Sequence, residues 1–145
     1  MTTTEHRYTL VIVDDAEESV LLFERFLQHG HPDRFNVHTF TDPARALDFI
    51  TNNHVNVVVS DLHMPGMSGN DLLLKCKGMR KGIQFYVLTG DQNASAALTS
   101  FLDGADGYIM KPISRETVEE GMAQCINRML QWGKVFEKVF KKQIA

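Results

Sequence analysis

Val55-Asn-Val-Val-Val-Ser60, running straight into Asp61-Leu-His-Met-Pro-Gly-Met-Ser-Gly69, is the stretch that decides the fold. Its first six residues are a short β-branched run that stops at a carboxylate. Runs of this kind are expected where both faces of a parallel sheet are covered. Outward from it, four more segments read as strands: Tyr8-Thr-Leu-Val-Ile-Val13, Phe35-Asn-Val-His-Thr-Phe40, Ile83-Gln-Phe-Tyr-Val-Leu88 and Gly107-Tyr-Ile-Met110. The second of these alternates, so one of its faces is more exposed.

Helical stripes lie between the runs. Val20, Leu21, Leu22, Phe23, Phe26 and Leu27 fill a helix over about 16–29. Thr41-Asp42-Pro43 is a helix start, with a capping side chain and then proline near the first helical position. Further helices are expected over about 69–76 and about 92–102, the latter closed by Gly104, and a long one after Ser114. The order βαβαβαβαβα predicts an α/β fold with a doubly wound five-stranded parallel sheet.

Composition sets the broad limits. The chain has 145 residues, 43% hydrophobic and 23% charged, which suits one globular domain. A net charge of −3 gives no general attraction to nucleic acid or an anionic membrane. Residues 133–145 carry Lys134, Lys138, Lys141 and Lys142 against Glu137, a local +3 that leaves −6 elsewhere. Four lysines without a reading motif read as a solvated helix face, so nucleic acid is not the expected partner. Cys76 and Cys125 form no CxxC pair and read as small buried hydrophobes. The N-terminal residues contain no long apolar run, so no signal peptide is expected. No apolar stretch reaches the roughly 18 residues of a membrane span. The cytoplasm is the expected location.

The chemistry gathers at the strand ends. Asp14 and Asp15 follow the first strand, Asp61 the third, Thr89 the fourth and Lys111 the fifth. In open α/β sheets ligands bind outside the carboxyl ends of the strands, where the strand order switches. Three carboxylates on one rim repel one another, and a hard divalent cation relieves that repulsion. Oxygen ligands suit Mg²⁺. Aspartate is a competent nucleophile toward phosphorus, and lysine and hydroxyl groups can neutralise phosphoryl oxygens.

These residues resemble the receiver domain of two-component response regulators, along about residues 7–130. The resemblance rests on Val-Ile-Val-Asp14-Asp15, the Asp61-Leu-His-Met-Pro-Gly-Met-Ser-Gly69 segment, Val-Leu-Thr89-Gly90, and Gly104-Ala-Asp-Gly-Tyr108-Ile-Met-Lys111-Pro112. It implies a flavodoxin-like sheet of order 2-1-3-4-5, a receiver over 1–131 and a helical extension over 132–145. It implies that Asp61 is phosphorylated by a histidine kinase or phosphotransfer protein. Asp15, Asp61 and the backbone carbonyl of His63 would ligate Mg²⁺, with Asp14 acting mainly through water. Lys111 would pair with the phosphoryl group and Thr89 would move to hydrogen-bond it. Tyr108 matches an aromatic switch residue, Pro112 a proline after a cis peptide bond, and Gly90 a position that must stay small. His63 and Asp91 match positions that tune the lifetime of the phosphoryl group. The output would be a changed surface for a downstream protein, with no released product beyond self-phosphorylation and autodephosphorylation.

A Mg²⁺-dependent phosphohydrolase with an aspartyl-phosphate intermediate is the competing reading. Phosphatases of the haloacid dehalogenase type carry a second aspartate two residues after the nucleophile, where this chain has His63. A dinucleotide-binding module lacks its G-x-G-x-x-G after the first strand.

The last helix continues beyond what a sheet can cover. Val118, Met122, Cys125, Met129, Trp132, Phe136 and Val139 follow heptad spacing, widened by Ile126, Leu130, Phe140 and Ile144. Residues 130–144 would project roughly 20 Å, with Gly133 as a weak point. Pairing with a second copy as a coiled coil is the expectation, folding back on the domain or continuing as a signalling helix the alternatives.

Overall fold

The computed structural model describes residues 7–144, with side chains through residue 142. Residues 1–6, where the absence of a signal peptide was read, and the side chain of Ile144 lie outside the described residues. The elements are β1 (Tyr8–Val13), α1 (Glu17–Gly30), β2 (Phe35–Phe40), α2 (Pro43–Asn52), β3 (Val57–Asp61), α3 (Gly69–Gly78), β4 (Gln84–Thr89), α4 (Ala94–Leu102), β5 (Gly107–Met110) and α5 (Arg115–Ile144). The five strands are parallel in the order β2-β1-β3-β4-β5. The expected fold is present.

Burial explains the strand patterns. Leu10–Val13, all of β3 and nearly all of β4 are buried, because helices cover both faces of the central strands. Edge strand β2 alternates. One face of the sheet packs Phe23 and Leu27 of α1 with Val118, Met122 and Cys125 of α5. The other packs Ala46 and Ile50 of α2 with Leu72, Leu73 and Cys76 of α3. Each fully buried side chain of this size contributes about 1.5–3 kcal/mol relative to exposure.

The helix starts are built by local hydrogen bonds. Asp42 accepts the Ala44 amide, with Pro43 next in line. Ser68 and Asp71 form a reciprocal capping box at α3. Asn93 caps α4 through the Ser95 amide, and the Ser114 hydroxyl accepts the Thr117 amide at α5. Gly104, at φ +101°, follows α4 in the left-handed conformation that glycine adopts without steric cost.

Strand boundaries shift from the sequence reading: β4 spans Gln84–Thr89 where Ile83–Leu88 was expected. Strand β3 starts at Val57 and includes Asp61, so Asp61 takes part in the ladder opposite Leu88. Helix α5 is the expected long helix, unbroken across Gly133 for 30 residues. Its last buried residue is Met129, and every described side chain from 130 to 142 is exposed. That segment neither folds back nor breaks, because one glycine inside a long helix costs only about 1 kcal/mol.

Candidate functional site

The parallel register brings the strand-end residues to one rim. Val13 lies opposite Ser60, Asp61 opposite Leu88, and Thr89 opposite Met110. Asp14, Asp61, Thr89 and Lys111 therefore emerge at the same level from four neighbouring strands. Chain order reverses direction at β1, which is flanked by β2 and β3, so the rim crevice falls between Asp14 and Asp61.

Carboxylate oxygens of Asp14, Asp15 and Asp61 all lie within 4.8 Å of one another. Asp14 is fully buried and Asp61 is 7% exposed, while Asp15 faces solvent. The Asp14 carboxylate accepts the Ala16 amide at 2.9 Å and the Lys111 ammonium at 2.8 Å. Lys111 Nζ stands 3.7 Å from Asp61 Oδ2. The other Asp61 oxygen accepts the Leu62 amide at 2.8 Å, which fixes the carboxylate plane and leaves Oδ2 toward the lysine.

The charges are tuned in opposite directions. Burial, and then the Asp14 charge, push the Asp61 carboxyl above its ordinary range, against the pull of Lys111 and the Leu62 and His63 amides. For Lys111, burial disfavours the ammonium. The Asp14 hydrogen bond and the nearby aspartate charges outweigh it and hold Lys111 above its usual value. A buried acid pair with one lysine is short of positive charge, and oxygen ligands at this spacing suit a hard divalent cation.

A second set surrounds the crevice. The buried Thr89 hydroxyl accepts the Asp91 amide at 3.0 Å. The Asp91 carbonyl accepts the Tyr108 hydroxyl at 3.0 Å. His63 Nε2 meets Asp91 Oδ2 at 2.8 Å, and this bond with the Asn93 amide holds the Asp91 carboxyl below its ordinary range. Asp91 thus touches Thr89, Tyr108 and His63 at once. The Lys111–Pro112 peptide is cis. A Cβ built on Gly90 would meet only Lys111 Cβ, at 3.8 Å, an ordinary contact, so the local packing itself leaves room for a small side chain there.

Sequence reasoning placed no role on Gly69 beyond its motif. Its N–H donates to the Leu62 carbonyl at 2.8 Å, and a Cβ there would collide with the Asp61 carbonyl oxygen and Leu62 Cα. The glycine lets the start of α3 lie directly on the backbone that carries Asp61. Its position at the end of the Asp61 motif was the available signal.

Comparison with known proteins bears on the fold and the family. The family model of the response regulator receiver domain matches residues 10–123. The two-component response regulator PhoP of Pseudomonas aeruginosa is 30% identical over 119 residues, covering 82% of this chain and 51% of that protein. The response regulator SaeR of Staphylococcus epidermidis is 32% identical over 110 residues, covering 75% and 46%. The chain thus spans about half the length of the curated relatives it matches. Among solved structures, a CheY-like receiver domain protein of Methanospirillum hungatei superposes with TM-score 0.78 at 25% identity, covering 87% of this chain and 98% of that one.

Proposed function

This chain belongs to the response regulator receiver domain family, and from that premise we propose that Asp61 takes a phosphoryl group from a phosphohistidine of a histidine kinase or phosphotransfer protein. The observation that carries the reading is the placement of Asp61: last in β3, with Oδ2 3.7 Å from Lys111 Nζ and beside Asp14 and Asp15. Asp61 Oδ2 attacks phosphorus and forms an acyl phosphate. The phosphorus–nitrogen bond breaks, and its electron pair stays on the donor imidazole, which picks up a proton. Lys111 balances the phosphoryl charge. Asp15, Asp61 and the His63 backbone carbonyl would hold Mg²⁺, with Asp14 behind them; when bound, the cation neutralises charge on the transferring oxygens.

The change of state runs through Asp91. Thr89 turning its hydroxyl to the phosphoryl oxygens disturbs the Asp91 amide bond, and the Tyr108 hydroxyl rests on the same residue's carbonyl. Phosphorylation would bias two arrangements of this linkage. The receiving surface would be α4 and β5, where Leu98, Phe101 and Leu102 stand exposed for a downstream protein. The His63–Asp91 pair over the mouth would set access of water and hence autodephosphorylation. No helix among the described residues is long and apolar enough to cross a membrane, and the cytoplasm is the proposed location.

Incubation with a small phosphodonor and Mg²⁺, read by intact mass, tests the acceptor. One phosphoryl mass is expected on the wild type and none on Asp61→Asn. A shift that survives in Asp61→Asn refutes the assignment. Replacing both His63 and Asp91 by alanine should change the dephosphorylation rate; an unchanged rate refutes their tuning role.

A further inference from the structure

Past Met129, α5 overhangs the base of the sheet, the edge opposite Asp61. The overhang and that base enclose an open cleft of about 820 Å³. Its floor is Met129, Trp132, Gly133 and Phe136 of α5. Its opposite wall is the end of α3 at Lys77 and the turn to β4, with Arg80, Lys81 and Ile83, next to the start of β4 at Gln84. The floor is apolar and open: Trp132 is 56% exposed and Phe136 51%, and Phe140, 57% exposed, continues the face one turn beyond the cleft. Their rings form a row along the helix, with centroids 5.6 Å and 6.2 Å apart. Rows of exposed aromatics of this extent mark interaction sites.

The wall is basic. Lys77, Arg80, Lys81 and Arg128 line the cleft with Asp106 as the one carboxylate among the described lining residues. Asp106 is shared by Lys77 and Arg128, at 2.7 Å and 2.5 Å. Lys81 rests on the carbonyls of Ile50 and Thr51, which remove none of its charge. Arg80 has no side-chain partner among the described residues. Gly133 has nothing within 4 Å of where a Cβ would stand, so another chain can approach the helix backbone there.

We propose that this cleft docks an acidic amphipathic segment of another protein, its apolar side chains on Trp132, Phe136 and Phe140 and its carboxylates against Arg80, Lys81 and Arg128. The face decides against a second copy of this chain. Trp132 and Phe136 continue the stripe by which Val118, Met122, Cys125 and Met129 contact the sheet. A ligand on that stripe therefore lies beneath the domain and faces the basic wall. A parallel second α5 would place both domains in the space between the two helices. An antiparallel one would bring Lys138, Lys141 and Lys142 toward Arg80 and Lys81, like charge on like. An acidic helix satisfies floor and wall together.

Trp132 is the single tryptophan of the chain, so its emission reports on the cleft. The full chain is titrated with a synthetic helical peptide of about four turns, carrying leucine on one face and glutamate along both flanks. A saturable blue shift that weakens with salt is expected. Reversing both rim charges, Arg80→Glu with Lys81→Glu, should weaken binding about tenfold or more with circular dichroism as in the wild type, and Arg80→Glu alone, which breaks no side-chain hydrogen bond among the described residues, should weaken it several-fold with thermal unfolding unchanged. Phe136→Ala should weaken binding as well. The proposal is overturned by the absence of any shift, by equal binding of a peptide with lysine in place of glutamate, or by full affinity in the charge-reversed variant. It is also overturned if light scattering finds a dimer whose Trp132 emission is already blue-shifted and unmoved by the peptide; the second copy is then the occupant.

Discussion

Replacing Asp61 by asparagine should make the fold more stable when no divalent cation is present. The Asp61 carboxylate lies within 4.8 Å of those of Asp14 and Asp15 and 3.7 Å from Lys111 Nζ. At an effective dielectric of about 20, the Asp14 repulsion is about 3.5 kcal/mol or more, 4.8 Å being the upper limit of that separation, and the Lys111 attraction about 4.5 kcal/mol. Asp15 faces solvent, which cuts its share to about 1 kcal/mol or less. Together these contributions nearly cancel or leave a net repulsion. What remains is the cost of keeping a carboxylate at 7% exposure out of water, in line with burial as the leading cause of its raised pKa. A raised folded-state pKa contributes stability below the ordinary carboxylate pKa, and that contribution is lost as pH rises through the folded value. At neutral pH the ionised Asp61 therefore destabilises the fold. Asparagine keeps the oxygen that accepts the Leu62 amide and leaves Lys111 on Asp14 at 2.8 Å. The expected gain is about 1–2 kcal/mol, or a rise of about 3–6 °C in Tm. Thermal and urea unfolding in chelator at neutral pH would measure it, with an unchanged urea slope. Added Mg²⁺ should then narrow the gap, since occupancy at ten times Kd stabilises the wild type by about 1.4 kcal/mol. If Asp61→Asn is instead less stable without cation by about 1 kcal/mol or more, Lys111 outweighs burial and the reasoning fails.

Other consequences are checked by similar means. Gly69→Ala should destabilise by about 1–3 kcal/mol, seen as a lower urea midpoint, because the new methyl meets the Asp61 carbonyl oxygen on rigid backbone; a neutral effect would mean that α3 is free to shift. Burial raises the Asp106 carboxyl, but Lys77, the Phe85 amide and Arg128 outweigh it and leave the pKa low. Asp106 thus stabilises the fold above the ordinary carboxylate pKa and loses that effect as pH falls through its lowered value. Asp106→Asn should lower the neutral-pH Tm and flatten the acid limb of the stability profile. Burial pushes the Cys76 and Cys125 thiols up to about 12. Both should resist an alkylating reagent at mildly alkaline pH and react in denaturing urea, as read by intact mass.

The local content of the chain was enough for the fold and the core of the site. Buried β-branched runs that end in Asp, Thr or Lys, separated by capped helical stripes, allow few arrangements, and the βαβ handedness rule leaves a parallel sheet. Asp14, Asp15, Asp61, Thr89 and Lys111 were legible because each stands at a strand end, and parallel strands bring their ends to one rim. The start of β3 was not, because a valine next to a strand reads like a valine inside one. The length of α5 was legible from its heptad stripe, and the helix crosses Gly133 because the propensity cost of one glycine is small beside that of ending a helix already nucleated upstream.

Contacts between distant residues required the packed chain. Asp14 and Lys111 are 97 residues apart and meet at 2.8 Å, and His63 meets Asp91 across 28 residues. Asp91 touches Thr89, Tyr108 and His63 together because the end of β4, strand β5 and the loop after β3 converge there. The basic wall facing Trp132 joins the α3–β4 turn to a helix some fifty residues later, and neither segment alone carries a sign of it. Sequence by itself determined which groups stand at the strand ends, because side-chain type and periodicity are local. Tertiary structure decided which of them touch and how deeply they are buried, because distance and dielectric exist only between packed elements.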